Sequence, residues 1–437
     1  MFEKVLAQQI HKYFENNKYF YNNQYGFRAK HSTQHAALEL TDRIITDMDK
    51  GHIPLNIFID LSKAFDTIDH NILLYKLKYY GIRNNAYDLM ESYLKDRQQF
   101  VNVDNKQSEK LFLSTGVPQG SVLGPLLFII YINDMHLCSK KLSTISYADD
   151  TTLFLTLSTE NLQTSDTLLN NELSKFSKWL DLNKLSLNVA KTKYMLFSPP
   201  NKNITYPQLK INNRVIECVK EFDFLGVLLD ANMKWHSHVN KISKKISKAI
   251  GIIGRIKNYM PVNTLRILYF ALVNSHLDYG LLNWGHCATK LEISQKKAVR
   301  IVSKRKYNAH SEPLLKKLNI LKITDLYKLK LLKFYYKLCN NLLPQYFATA
   351  NLLIHQQSLH SPNTRGQTFL TPRIYHVFAE NCVRHQLPSL LNNADDLPAD
   401  VLTSVYTYSE YGYTSYLKRH FIDQYNNECT IINCRNC

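Results

Sequence analysis

The chain lacks an apolar run long and charge-free enough to cross a bilayer; residues 123–132 come nearest, at about half the necessary length. Its first residues, Met1-Phe-Glu-Lys-Val-Leu, also lack the basic-then-apolar order of a signal peptide. The eight cysteines are scattered, and Cys138, Cys218, Cys287 and Cys339 sit in apolar or helical-looking strings. That usage excludes a disulfide framework and reads as a reduced intracellular protein, cytoplasmic or nuclear, with no membrane partner. Zinc at the tail stays open, because Cys429, Cys434 and Cys437 offer three thiols with only His420 nearby and no clear fourth ligand. There is no tandem repeat and no low-complexity tract.

Anions are scarce in one segment only. Residues 231–340 hold 22 Lys and Arg against 4 Asp and Glu, whereas residues 1–230 hold 26 against 25 and residues 341–437 hold 6 against 7. The whole net charge of +18 is therefore concentrated in one stretch. Four anions cannot neutralise 22 cations by pairing along helices, so this segment has the footprint of a module that grips a polyanion.

At 437 residues the chain can bury a sizeable core and form two or three domains. Apolar spacing predicts helices over 3–16, 34–50, 86–96, 126–135 and 160–184, with another from about Asp69. Strands are expected over 55–61, on both sides of Tyr147-Ala-Asp-Asp150, and over 192–197, 208–211 and 222–229. A hairpin is expected over 99–115 around Asp104-Asn105-Lys106. The order is mixed rather than a regular βαβ alternation, so the class is α+β with an antiparallel sheet. From Trp235 onward the pattern becomes basic and helical. Val239, Ile242, Ile246, Ile250, Ile253 and Ile256 form one stripe, with Lys241, Lys244, Lys245, Lys248 and Arg255 mostly off it.

The chemistry is concentrated in carboxylates. Asp149 and Asp150 are adjacent in a string otherwise built of β-branched, aromatic and apolar residues, and Asp60 ends a second such run. Neighbouring aspartates repel, and a divalent cation compensates them most directly. Three carboxylates at strand ends suit hard oxygen-binding cations and two-metal phosphoryl chemistry. Asp66 and Asp69 lie at a plausible helix start, where N-capping is the expected role.

Taken in order, the strings form a known pattern: Gln24-Tyr-Gly26-Phe27-Arg28 with Ser32-Thr33, Phe58-Ile-Asp60-Leu-Ser-Lys-Ala64-Phe65-Asp66, Val117-Pro-Gln-Gly-Ser-Val-Leu-Gly-Pro125, Tyr147-Ala-Asp-Asp150, Leu187-Asn-Val-Ala-Lys191-Thr192 and Phe224-Leu-Gly-Val227. The chain resembles the reverse transcriptases of non-LTR (LINE-type) retrotransposons, most like the jockey group. The resemblance implies an RNA-directed DNA polymerase in right-hand form. Fingers and palm would occupy 1–230, a basic helical thumb 231–340, and a region of unknown role 341–437. RNA template, DNA primer and deoxynucleoside triphosphates are the implied partners, and two Mg²⁺ ions, with Mn²⁺ as a substitute, the implied cofactor.

By the same resemblance, Asp60, Asp149 and Asp150 hold the metals, with the carbonyl of Leu61 as a further ligand. Phe65 lies where a bulky ring excludes a 2′-hydroxyl, against core packing as the simpler role. Gln119 and Gly120 lie in a loop beside the nascent base pair, against an ordinary turn. Lys191 is a candidate general acid for pyrophosphate, with a solvated surface lysine as the alternative. Arg28 is a candidate for triphosphate or template, with a structural ion pair the better reading of the residue itself. Phe224, Leu225 and Gly226 would support the primer terminus, and the lysines of the 236–256 helix would contact phosphates. The family's first finger motif is missing ahead of Phe2-Glu3-Lys4, as is the endonuclease domain of full-length relatives. The sequence thus reads as an N-terminally incomplete frame, with a catalytically silent nucleic-acid-binding remnant as the alternative function.

Overall fold

The computed structural model describes residues 1–158, 160, 165–199, 206–355, 369–393 and 397–426; the tail cysteines Cys429, Cys434 and Cys437 fall outside them. Two compact units divide the chain: Met1–Ala36 with Gly51–Lys220, and Ala37–Lys50 with Glu221–Cys437. The class is α+β.

The first unit opens with α1 (Phe2–Asn16), which buries Phe14. After α2 (Thr33–Asp49), which from Ala37 onward belongs to the second unit, the apolar run enters β1 (Ile53–Ile59), all seven residues of which are buried. The expected strand stops before Asp60, and the chain pairs again only at Leu61–Ser62, against Ser186–Leu187. Then come α3 (His70–Tyr79), α4 (Asn85–Leu94) and α5 (Gly124–Tyr131). They are followed by β2 (Ser143–Tyr147), β3 (Asp150–Leu157), α6 (Ser165–Leu182), β4 (Lys193–Leu196) and β5 (Glu217–Cys218). The strands form one sheet in the order β5-β4-β1-β3-β2, antiparallel except for β4 with β5.

Register in this sheet is set by burial. Ile53, Leu55, Ile57 and Ile59 of β1 and Leu153 and Leu157 of β3 face a core completed by Leu73, Leu74 and Leu77 of α3, the apolar α5, and Leu169, Leu173, Phe176 and Leu180 of α6. Each such side chain contributes about 1.5–3 kcal/mol when fully buried. A one-residue slip would turn the whole set to the other face, so register is firmly specified. The β1–β3 ladder runs from Ile53↔Leu157 to Ile59↔Thr151. One step beyond that last pair stand Asp60 and Asp150.

Several expected elements differ in detail. Asp69 does cap α3, its carboxylate accepting the Ile72 N–H at 3.0 Å. Asp66 does not cap it; its carboxylate accepts from the Gln119 side chain at 2.9 Å. The 99–115 hairpin consists of two short ladders about a turn at Asp104 and Asn105, both with positive φ. Its Phe100, Val101, Val103, Leu111 and Phe112 are exposed. The helix expected over 126–135 ends at Tyr131, and a 3₁₀ turn over Met135–Cys138 follows.

The second unit begins with the β-hairpin β6 (Glu221–Phe224) and β7 (Val227–Asp230), where the sequence suggested one strand over 222–229. Next is α7 (His236–Ile256), with Val239, Ile242, Ile246, Ile250 and Ile253 buried as the stripe predicts. Residues 341–437, uninformative as sequence, include α8 (Val383–Asn392) and α9 (Glu410–Asp423). They are tied to α2. Asp42 accepts from Arg384 at 2.7 Å and from the Tyr346 hydroxyl at 2.6 Å. Asp49 accepts the Tyr375 and His376 backbone N–H groups at 3.0 and 2.8 Å. No helix among the described residues is long and apolar enough to cross a membrane.

Candidate active site

β2 and β3 are joined by only Ala148 and Asp149, with Tyr147 and Asp150 paired on either side. Ala148 has φ +55°, and positive φ is confined to that first central residue. This is the II′ pattern, whose twist suits a hairpin but which favours glycine at that position. An L-residue in the left-handed region costs roughly 1–2 kcal/mol, so the turn needs support from elsewhere. The segment Asn23–Gly26 supplies it. The Ser146 N–H donates to Asn23 O at 2.9 Å, the Tyr25 N–H donates to Ser146 O at 2.7 Å, and the Ala148 N–H donates to Gln24 Oε1 at 3.1 Å.

The turn projects Asp149 and Asp150 at the sheet end where β1 delivers Asp60. Burial raises the Asp150 carboxyl above the ordinary aspartate range, and the charges of Asp149 and Asp60 push it further the same way. Both neighbouring charges that act on Asp150 in this way are anions. Among the described residues, no three His, Cys, Asp or Glu side chains are drawn close enough to hold an ion by themselves. The donor chemistry nevertheless fits a hard divalent cation: oxygen ligands of one sign, mutually repelling, at the solvent-open end of a sheet.

Two loops are anchored around this point. Asp60 O accepts the Asn188 N–H at 2.8 Å, and Asn188 O accepts the Lys191 N–H at 3.2 Å, so the loop carrying exposed Lys191 hangs from Asp60. Phe65 O accepts the Val117 N–H at 3.0 Å, and Ile68 O the Gly116 N–H at 2.8 Å. These bonds tie the Gly/Pro loop to the segment after Asp60. The Phe65 ring, half-buried, stacks on Phe128 with centroids 4.4 Å apart and meets Phe27 edge-on at 6.4 Å. Gly120 has φ +79° with open space where a Cβ would lie. Leu61 is buried in the short pairing with Leu187.

Against this geometry, the model of the family described as "Reverse transcriptase (RNA-dependent DNA polymerase)" matches residues 1–229. The chain belongs to the reverse transcriptase family. Among curated relatives it is 25% identical over 340 residues to the probable RNA-directed DNA polymerase from transposon BS of Drosophila melanogaster, covering 73% of this chain and 36% of that one. It is 26% identical over 315 residues to the RNA-directed DNA polymerase from mobile element jockey of the same fly, covering 69% and 34%. The chain thus spans about a third of the length of these non-LTR relatives. Among solved structures, apo telomerase from Candida tropicalis aligns with a TM-score of 0.39 at 11% identity, covering 74% of this chain and 54% of that one.

Other residues singled out in this reverse transcriptase family member take different places. Arg28 is not held open for a triphosphate. Its guanidinium donates to both Glu15 carboxylate oxygens, at 2.9 and 3.0 Å, and to Tyr21 O at 2.8 Å. Lys241 is committed to Asp223, whereas Lys244, Lys245, Lys248 and Arg255 lie exposed on α7. Phe224 turns its side chain into the interior, leaving Leu225 and Gly226 at the tip of the β6–β7 hairpin with φ +48° and +85°. The Tyr279 hydroxyl donates to Leu225 O at 2.6 Å and the Leu228 N–H to His238 Nδ1 at 3.0 Å.

Gln24, quoted in the sequence only as part of its motif, bonds the Asp-Asp turn through its side chain. Its motif was visible, but the task of its side chain was not.

Proposed function

We propose that this chain is the RNA-directed DNA polymerase part of a non-LTR retrotransposon, extending a DNA primer on an RNA template with deoxynucleoside triphosphates. The observation that supports the reading is the register that sets Asp60 one step beyond Ile59↔Thr151, level with Asp150, with Asp149 next to it in the turn. Asp60, Asp149, Asp150 and the Leu61 carbonyl would hold two Mg²⁺ ions. Bound there, the metals supply Lewis-acid stabilisation of the primer 3′-oxygen and of the triphosphate and departing pyrophosphate. The protein's own contribution is placement. Phe65, braced by Phe128, presents a ring that disfavours a 2′-hydroxyl. Gln119, steadied by Asp66, and Gly120 border the nascent pair. Lys191, on the loop hung from Asp60, donates a proton to the leaving group.

Fingers and palm correspond in this reading to 1–230 and the thumb to 231–340, where Lys244, Lys245, Lys248 and Arg255 contact phosphates without reading sequence. Leu225 and Gly226 support the primer end. Asp149→Ala should lower primer extension by about three orders of magnitude, the scale of losing several kcal/mol of metal stabilisation, while gel-shift affinity for primer–template stays within a few-fold. Undiminished extension by that variant would overturn the assignment.

The excess of 22 cations over 4 anions in 231–340 favours one second reading, a chain that binds nucleic acid without polymerising. It predicts steeply salt-dependent binding and no extension by the unaltered protein.

A further inference from the structure

The Tyr147–Asp150 turn contains a residue in an unfavourable conformation, and one buried side chain from another part of the chain is aimed at it. Gln24 is 4% exposed. Its Oε1 accepts two backbone donors, the Gly26 N–H at 2.8 Å and the Ala148 N–H at 3.1 Å. One carbonyl oxygen thus bridges the motif at 24–28 to the first central residue of the turn. The flanking backbone completes the clamp, because Gln24 and Ser146 form a parallel bridge and residues 23 and 25 bond Ser146 on either side. Contact here is too close for another side chain. A Cβ on Gly26 would lie 2.4 Å from the Ala148 nitrogen and 3.1 Å from its Cα, both rigid backbone atoms.

We propose that Gln24 is a positioning residue for the catalytic carboxylates. By accepting the Ala148 N–H, it holds that residue at positive φ and so fixes where Asp149 and Asp150 leave the hairpin. A residue outside the carboxylate cluster thereby sets how well the cluster can close on a metal pair. Chemically, the requirement is an acceptor: an oxygen at the Oε1 position serves, whereas a side chain of equal length without one does not. The inference rests on the reading of Asp149 and Asp150 as metal-holding carboxylates.

The experiment uses the full chain with Gln24→Met, near in volume but without the acceptor, and Gln24→Glu, which keeps an oxygen there. Amide hydrogen exchange over residues 144–151 is measured without metal. The Mg²⁺ concentration at half-maximal primer extension is measured alongside primer–template affinity. Losing one buried hydrogen bond is expected to speed exchange at Ala148 in Gln24→Met by about ten-fold. The same variant should raise the half-saturating Mg²⁺ several-fold, with nucleic-acid affinity unchanged, while Gln24→Glu keeps near-normal exchange protection. Unchanged exchange in Gln24→Met, or equal loss of protection in both variants, would overturn the clamp. If Gln24→Met fails to fold, protection in Gln24→Glu decides alone. Extension that survives Asp149→Ala would instead sink the active-site reading, and the exchange arm would still report on the clamp.

Discussion

Two tight hairpin turns in this protein solve the same backbone problem by different means. The β6–β7 turn in the second unit places Leu225 and Gly226 at φ +48° and +85°, the pattern of a type I′ turn with glycine at its more demanding position. The β2–β3 turn in the first unit places Ala148 at φ +55° without glycine's freedom. Glycine relieves one central position of the first of these, while Leu225 at the other is held through its carbonyl by Tyr279, and His238 bonds the strand that follows. The second has no glycine at either central position and takes its support at Ala148 from a side chain 124 positions away. A turn that local sequence does not fix can be adjusted by its surroundings, which suits a pair of carboxylates whose placement must be exact to a fraction of an ångström.

The strongest way to break this contrast is a methyl group. Gly26→Ala should destabilise the first unit by about 3 kcal/mol, because the added Cβ meets backbone that must move. Gly226→Ala should cost the second unit only about 1–2 kcal/mol, since its Cβ meets the Tyr279 ring at 3.2 Å and the ring can give. Denaturant unfolding of both variants gives the comparison, and equal losses would erase it.

Acid should act on the two hairpins unequally. The Leu228 N–H donates to His238 Nδ1, which requires a neutral imidazole. Burial, aided by the charge of Lys241, pulls the His238 pKa down to about 4. A histidine whose folded value lies below its unfolded value near 6.5 contributes fully above that unfolded value and loses the contribution as pH falls toward 4. The loss approaches roughly 3 kcal/mol at the lower end. The Gln24 amide does not titrate. Thermal unfolding between pH 7 and pH 4.5 should therefore weaken the second unit, and His238→Asn should flatten that dependence.

The smallest effect sharpens the comparison most. Ala148→Gly removes left-handed strain but adds freedom to the unfolded chain, so its net effect on stability should stay within about 1 kcal/mol. Its signature is coupling: combined with Gln24→Met, the two changes should be non-additive in a double-mutant cycle. Additive effects would mean that Gln24 does not support the Ala148 conformation.

Much of the fold was legible because its signals are local and repeated. The stripe Val239, Ile242, Ile246, Ile250, Ile253 is buried as its spacing requires, and β1, apolar but for the buried Asn56, reads as a buried strand. Asp69 was recognisable as a cap, because capping is decided within one turn of helix. Asp66, three residues earlier, carries the same chemistry in sequence, yet it bonds Gln119 instead. Arg28 reads as an ion-paired arginine whose partner the sequence does not name, Lys241 reads as a phosphate contact, and only the fold brings Glu15 and Asp223 to them. Residues 341–437 gave little because what orders them, such as Arg384 on Asp42, is contact with α2 more than three hundred residues earlier.

The sequence by itself determined the family, the α+β class and the identities of the three carboxylates, since motif order and apolar periodicity are properties of the chain alone. Only the tertiary structure decided that Asp60 stands one step beyond the last β1–β3 pair, opposite Asp150, and that Ala148 is held at positive φ by an amide 124 positions away. Local propensity disfavours that conformation for alanine. A backbone state that its own residues do not prefer persists only where packing and hydrogen bonds from elsewhere over-determine it.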